Sequence, residues 1–422
     1  MRDVIITMIV IGALPFILAR PFLGVLMWTW LGLMNPHRLA WGFAMHLPFA
    51  FMVFAATLLG ILFSRTPRQW PLRIELVVLL LFLGWMLVST SLALFPDAAW
   101  TEWSKIWRIQ CGILITLMLT RERQQIHWLV WTIAVSLGFY GVKGGLWTVL
   151  HGGVNRVYGP AGGFIGGNNE IGLALLMTAP LMWFLALHTP HPRVRLGLYV
   201  AVGLTLIAVV GTHSRGAFLG MLVMGLMLFI KARHKWLPAL LALGLAVLLP
   251  VIAPQSWFNR METIGAYEQD NSAMGRIGAW HKAVEIAGER LTGGGFEVLI
   301  HSYQRDAHSI YFEVLAEHGY GGLLLFLGLL ALAWRRARII RARAARHPDQ
   351  QWAGDLAAMV QVSLTGYMTA GAFLGLAYFD FFYLLLALLV CVDAQTLRAL
   401  QAGQRATPVA LGGWMPLAAK RV

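Results

Sequence analysis

Apolar stretches of about 20 residues, the length a helix needs to cross the hydrocarbon of a bilayer, recur along nearly the whole chain and constrain it more than any motif does. They cover residues 40–63, 74–94, 106–120, 126–150, 171–188, 194–211, 215–230, 236–253, 309–334, 357–378 and 380–395. Residues 4–34 are split by Pro15, Arg20 and Pro21 into two runs, each short for a crossing, and read as one broken span or as a hairpin. The chain is 58% hydrophobic and 12% charged, whereas the surface of an ordinary water-soluble chain draws on about 25% charged residues. The expectation is an all-α polytopic membrane protein with about 12 transmembrane helices, counting one span in residues 4–34 if the N-terminus is cytoplasmic, as Arg2 suggests. With no small-residue cleavage site after the first apolar run, the N-terminus reads as retained.

The net charge of +14 sits in short loops between the apolar runs, which is how topology is encoded and not a nucleic-acid surface. Arg65, Arg68 and Arg73 make the first basic loop, Arg121 and Arg123 the second, and Arg193 and Arg195 the third. Lys231, Arg233 and Lys235 make the fourth, and Arg335, Arg336, Arg338, Arg341, Arg343 and Arg346 the fifth. Every second loop is basic, so these loops, and the tail with Arg398, Arg405, Lys420 and Arg421, are expected to be cytoplasmic. The loops at 95–105, 151–170, 212–214 and 254–308 then face the outside. Many of the tryptophans lie near the ends of apolar runs, where such rings settle at the headgroup level. Cys111 and Cys391 both fall inside apolar runs, which predicts no structural disulfide and no CxxC metal site.

Two of the outward stretches read as helices lying on the membrane surface. In FPDAAWTEWSKIWR, Trp100, Trp103 and Trp107 recur at helical spacing, with Asp97, Glu102 and Lys105 on other faces. In RIGAWHKAVEIAGER, Ile277, Trp280, Val284 and Ala287 form the apolar stripe, and the LTGGGF that follows breaks the helix.

The long polar interruption at 254–308, with Arg260, Arg276, Arg290, Arg305, His301 and His308, is where water-facing chemistry can be done. In THSRGAF an outward turn enters a span, so Ser214 can cap the helix and Arg215 can join its free N–H groups in holding an anion, phosphate above all. An arginine there also serves by snorkelling to headgroups. His308 lies at the mouth of the next span, where a neutral imidazole can take a proton from a hydroxyl; a helix-capping histidine is the plainer alternative. Glu313 and Glu317 lie one and two turns into that span, and such costly carboxylates face a cavity or a partner, an arginine among the options. In VNRVYGPAGGFIGGNNEIG the glycines permit close approach to a ligand, and Arg156, Tyr158, Asn168, Asn169 and Glu170 offer polar contacts. Arg276 and Arg305 join Arg215 around one anion if the loop folds back over the mouth, and otherwise form a solvated basic face.

There is no HExxH, no GxxxxGK[ST], no GxSxG and no outward DxD pair. Zinc protease, nucleotide-driven and serine-hydrolase chemistry lose their usual support, as does a divalent metal holding a nucleotide-sugar. A transporter would place polar or broken helices at the midplane of both halves. Lys143 and Asp380 keep that reading open, although the conspicuous polar residues gather at one face. A purely structural scaffold leaves Glu313 and Glu317 unexplained.

The pair His308 and Ser309, nine further positions, then Gly319 and Gly322, fits the HSx9GxxG pattern of the O-antigen ligase family, and the chain resembles that family. THSRG around Arg215, the RxxxW of Arg276 and Trp280, and GGFIGGNNEIG are similar to the domain it shares with O-antigen polymerases and bacterial protein O-oligosaccharyltransferases. The likeness covers residues 151–322, with one departure at 291–295, where the family often has a proline before its glycine pair. The N-terminal spans resemble a subgroup described as O-glycosylation ligases of exosortase-associated gene clusters.

The resemblance implies a membrane-embedded, GT-C-type glycosyltransferase of the inner membrane, inverting and independent of metal or other cofactor. Its donor is a glycan on undecaprenyl pyrophosphate and its acceptor a sugar hydroxyl of lipid A-core, with a protein serine or a growing glycan as alternatives and a glycan flippase as a more distant one. It implies His308 and Arg215 as catalytic, with Arg215, Arg276, Arg156 and Arg305 on the donor pyrophosphate. Ser309, Glu313, Glu317, Asn169, Gly319 and Gly322 are expected to support them. The chain then divides into N-terminal helices (1–150), central helices (151–253), a periplasmic catalytic loop with short helices (254–308), C-terminal helices (309–396) and a cytoplasmic tail (397–422).

Overall fold

A computed structural model of the chain describes residues 1–65, 67–231, 235–236, 239–240, 243–244, 246–247, 250, 255, 257–258 and 271–406. Arg260, most of the expected 236–253 span, and Lys420 and Arg421 lie outside the described residues. Among the described residues the chain is helical without strands. The helices are α1 (Arg2–Ala19), α2 (Phe22–Met34), α3 (Phe49–Phe63), α4 (Ile74–Ser91), α5 (Pro96–Leu119), α6 (Arg123–Leu150), α7 (Asn168–His188), α8 (Pro192–Gly211), α9 (Arg215–Lys231), α10 (Asn271–Glu289), α11 (Val298–Tyr303), α12 (Ile310–Ala344), α13 (Gln351–Gly371) and α14 (Asp380–Ala406). Six of them, α1, α4, α6, α7, α8 and α14, are long and apolar enough to cross a membrane, and α2 and α3 are shorter apolar helices. The chain is a multi-pass membrane protein.

A helix that is apolar all round is either packed inside the protein or faces lipid. α7 is such a helix: every residue from Ile171 to Ala186 is buried, packed among α6, α8, α9 and α13. The apolar stretch of α14 from Phe381 to Val392 is buried in the same core. These two helices form the interior on which the outward turns are mounted.

Residues 4–34 form a hairpin. A Cβ on Gly60, near the end of α3, would lie 2.8 Å from the Ile17 carbonyl oxygen at the end of α1. At the other end of α1, Asp3 accepts a hydrogen bond from the Ala44 amide at 3.1 Å. Arg38, in the same connection as Ala44, donates to the Ala161 carbonyl at 3.3 Å. The N-terminus therefore lies at the end of the bundle that carries the 151–170 loop, and of the two readings open for residues 4–34 the hairpin is the one observed.

Three expectations are corrected. The surface helix at 95–107 and the span from 106 are one helix, α5, because no breaker separates them and the buried positions Ala99, Ile106, Gln110, Ile113 and Leu117 continue at helical spacing. The buried face of α10 is Ala279, Ala283, Ile286 and Ala287, while Val284 of the expected stripe is exposed, because α10 packs on α12 and leaves its other side free. The fifth basic loop is in large part the end of α12, which runs on to Ala344. Arg336 there is buried and held by both Glu75 oxygens at 2.8 Å and by Asp393 at 2.9 Å. Arg343 at 2.6 Å and Arg73 at 3.3 Å complete the shell around Asp393, clasping α4, α12 and α14 at the end opposite His308.

Candidate active site at the His308 end of the bundle

Arg215 is the first residue of α9, and the turn before it is fixed from several sides. Ser214 Oγ accepts from the Ala217 amide at 3.2 Å, the capping bond its position predicts. His213, buried in the left-handed region at φ 56°, reaches the Gly153 carbonyl at 2.8 Å, and the Asn168 amide group donates to the Thr212 carbonyl at 2.9 Å. The Val157 amide donates to the Gly211 carbonyl at 2.9 Å. The loop at 151–167 thus acts as a brace for the start of α9. Asn168 makes this contact, and the expected Asn169 is half-buried beside it.

The glycines of that loop also allow close approach, but of the chain's own side chains. A Cβ on Gly162 would run into the Arg38 guanidinium, and one on Gly163 would lie 3.2 Å from Asn35 Nδ2.

His308 is half-buried, in the left-handed region at φ 44°. Its Nδ1 is 3.5 Å from Asp306 Oδ2, close enough for an ion pair and longer than an aligned hydrogen bond. Between the two, the Ala307 carbonyl accepts from Trp280 Nε1 at 2.8 Å, and the Trp280 ring stacks on Phe312 at 4.8 Å. The tryptophan of RxxxW therefore fixes the main chain beside His308. Ser309 is the N-cap residue of α12, and its hydroxyl is buried without a partner.

Next to this segment is a cavity of about 110 Å³ whose wall includes Glu102, Glu297, Asp306, Glu313 and Glu317. Glu313 accepts from the Ala377 amide at 3.0 Å. Glu317 accepts from the Glu297 amide at 2.8 Å and the Tyr378 hydroxyl at 2.6 Å. Among the described residues neither carboxylate pairs with an arginine. A carboxylate accepts, and a protonated carboxyl both donates and accepts, so this wall suits a ligand rich in O–H groups.

Gly319 breaks α12, with φ 64° and ψ −170°. The break frees the carbonyls of Ala316 and Glu317 to accept from the amides of Gly294 and Gly295 at 2.8 and 2.9 Å, docking the 293–295 turn on the helix. A Cβ on Gly322 would collide with the His318 side chain. The GxxG of the motif is therefore architectural. His318, which the sequence reading passed over, is fully buried, with Nδ1 2.5 Å from Ser89 Oγ and its ring packed edge-on against Phe296 and Tyr378. Its signal was a titratable ring inside an apolar span.

Of the other predicted cations, Arg276 is half-buried on the first turns of α10. Arg305 lies against the adjacent Gly275, so close that any Cβ there would meet its guanidinium. These two are brought together. Arg156 is exposed in the bracing loop. Asp306 was also missed, because nothing local marks one aspartate among loop residues. Its carboxylate lies 2.7 Å from where a Cβ of Gly375 would be, in the turn between α13 and α14.

That turn joins the two halves of the site. A Cβ on Gly216, next to Arg215, would lie 3.3 Å from Phe373 Cβ, and one on Gly371 would lie 2.8 Å from Ile310 Cδ1, two residues after His308.

Residues 1–201 match a family of unknown function (DUF5935). Residues 200–327 match the model of the O-antigen ligase family. The second stretch contains Arg215, Arg276, His308, Gly319 and Gly322, whereas the bracing loop, expected to share that domain, falls within the first. No curated protein matches the chain. Over residues 200–327 the chain is similar to the O-antigen ligase family.

Proposed function

We propose that this protein is an O-antigen ligase, transferring a glycan en bloc from undecaprenyl pyrophosphate to a sugar hydroxyl of lipid A-core at the periplasmic face of the inner membrane. The observation that carries the reading is the turn at 370–377, against which both the start of α9 with Arg215 and the segment Asp306 to Ile310 are packed. One end of the molecule thereby combines a helix start and arginine suited to a phosphate with an imidazole suited to a hydroxyl.

In this mechanism Arg215, at the start of α9, takes the pyrophosphate, with Arg276, Arg305 and Arg156 around it. His308 removes the proton of the acceptor hydroxyl, and the oxygen attacks the anomeric carbon from the face opposite the leaving group, inverting it. The bond to the pyrophosphate oxygen breaks, and the departing charge is neutralised by arginine without needing a proton. His308 then releases its proton to water. General-base help of this kind is worth roughly 10²- to 10⁴-fold. Glu313 and Glu317 accept hydrogen bonds from the acceptor's other hydroxyls.

The test is acceptor choice. Purified protein is given the lipid-linked donor with lipid A-core, with a serine-bearing protein, or with donor alone. Glycan on lipid A-core, lost in His308→Ala, is expected. Glycan on the protein, or lengthened on the donor lipid, would assign the same site to an O-oligosaccharyltransferase or a polymerase.

A further inference from the structure

A second, larger cavity of about 530 Å³ lies beside the acidic one, and Glu102 and Phe164 line both. Its cations are Arg38, Lys105 and Arg108, and its apolar wall includes Trp28 and Ile109. Apart from Asp380, every residue lining it comes from the stretch that matches the family of unknown function. We propose that this groove holds the phosphate groups of the acceptor, a membrane-anchored phosphorylated glycolipid, and so presents its sugar to the acidic cavity beside Asp306 and His308. The proposal rests on the ligase reading and gives the N-terminal part of the chain a task in it.

Charge makes the case. Glu102 pairs with Lys105 at 2.5 Å, which neutralises that cation. Arg38 and Arg108 are different: their bonds go to neutral oxygens, of Ala161 in one case and of Ser104 in the other. Among the described residues neither has a carboxylate at salt-bridge distance. At the opposite end of the bundle Arg73, Arg336 and Arg343 are all paired with carboxylates. Two unneutralised guanidiniums in one groove suit a phosphate, which their planar forks can grip with two bonds each. Burial, and then the adjacent Arg38, hold His37 below the usual histidine range.

Position makes the ligand a lipid. Trp100 and Trp107 are exposed on the same stretch of α5 as Lys105 and Arg108, and exposed tryptophans of a membrane helix mark the headgroup level. A phosphate held there has its acyl chains beside the apolar wall and its sugars toward the shared wall of Glu102 and Phe164.

The experiment uses the full-length protein in nanodiscs of neutral lipid and measures binding and transfer separately. Wild type, Arg38→Gln/Arg108→Gln, Arg38→Lys/Arg108→Lys and Gly162→Ala are compared on lipid A-core, on dephosphorylated lipid A-core and on the polyprenyl-pyrophosphate donor. The glutamine pair should weaken binding of phosphorylated lipid A-core and raise its KM roughly 10- to 100-fold, with kcat and donor affinity unchanged. The lysine pair should keep most of the affinity. Gly162→Ala, which must displace the Arg38 guanidinium, should follow the glutamine pair by a smaller factor. Dephosphorylated acceptor should bind wild type and the glutamine pair equally weakly.

Equal binding of phosphorylated acceptor to wild type and the glutamine pair overturns the proposal. So does weakened donor binding in that pair, which assigns the groove to the donor, or full displacement of the acceptor by equimolar phosphatidylglycerol, which makes it a site for bulk anionic lipid. Binding is read without turnover, so a wild type that transfers nothing to lipid A-core overturns the ligase reading while the groove is still decided.

Discussion

Gly293 and Gly319 meet backbone to backbone: a Cβ on Gly293 would lie 2.6 Å from main-chain atoms of Glu317, His318 and Gly319, and one on Gly319 would run into the Leu291 carbonyl. Both residues have positive φ, 70° and 64°. Gly319→Ala therefore combines backbone strain with a clash that neither side can relieve by rotating a side chain. It should cost about 2 to 4 kcal/mol, seen as a lower unfolding midpoint in detergent. Gly225→Ala, where a Cβ meets open space, should leave the midpoint unchanged or raise it.

Trp280→Phe keeps an aromatic ring for the stack on Phe312 and deletes only the N–H that holds the Ala307 carbonyl. Stability should fall by about 1 kcal/mol. The transfer rate should fall further, on the order of 10-fold, because His308 is no longer fixed against its acceptor. Rate and midpoint measured on the same preparation separate the two effects.

Asp306→Asn keeps the shape of the side chain and removes the charge 3.5 Å from His308 Nδ1. The expected result is a kcat lower by roughly 10- to 100-fold with donor KM unchanged. Gly375→Ala should reproduce it in part, since a Cβ there would lie 2.7 Å from the Asp306 carboxylate and push it aside. Steady-state kinetics on both variants check this, and a change confined to donor KM would contradict it.

The helical class and the capped start of α9 were legible because each follows from local pattern: apolar run length and a serine before a helix. Contacts that depend on which distant element comes alongside were not legible. Glu75 and Arg336 are 261 positions apart in sequence, and Arg38 and Ala161 are 123 apart. Nothing near Arg336 marks it as buried, so six arginines in a row of loop-like sequence read as one solvated loop. The glycines at 162 and 163 read as room for a ligand because a sequence shows that space is needed and not what fills it. The hairpin at 4–34 stayed open because its sign is carried by Asp3 and Ala44, two unremarkable residues.

Asp393 is fully buried and faces Arg73, Arg336 and Arg343 at once. Asp393→Asn leaves those cations with one carboxylate, that of Glu75, and should cost about 3 to 5 kcal/mol, the range for removing one partner of a buried pair. The clasp lies at the other end of the bundle from His308, so specific activity per folded molecule should be retained. Unfolding midpoints with activity normalised to folded protein decide this, and loss of activity at full stability would contradict the separation.

Arg215 and His308 are proposed to act on one donor–acceptor pair at one end of the bundle. This is tested most directly by glycan transfer from a polyprenyl-pyrophosphate donor to lipid A-core, with EDTA present, by wild type, His308→Ala and Arg215→Ala. Expected are transfer by wild type, a loss of at least about 10²-fold in His308→Ala with donor still bound, and weakened donor binding in Arg215→Ala. Transfer undiminished in folded His308→Ala, or donor bound normally by all three with no transfer to any acceptor, would contradict the proposal and return the chain to the transporter reading.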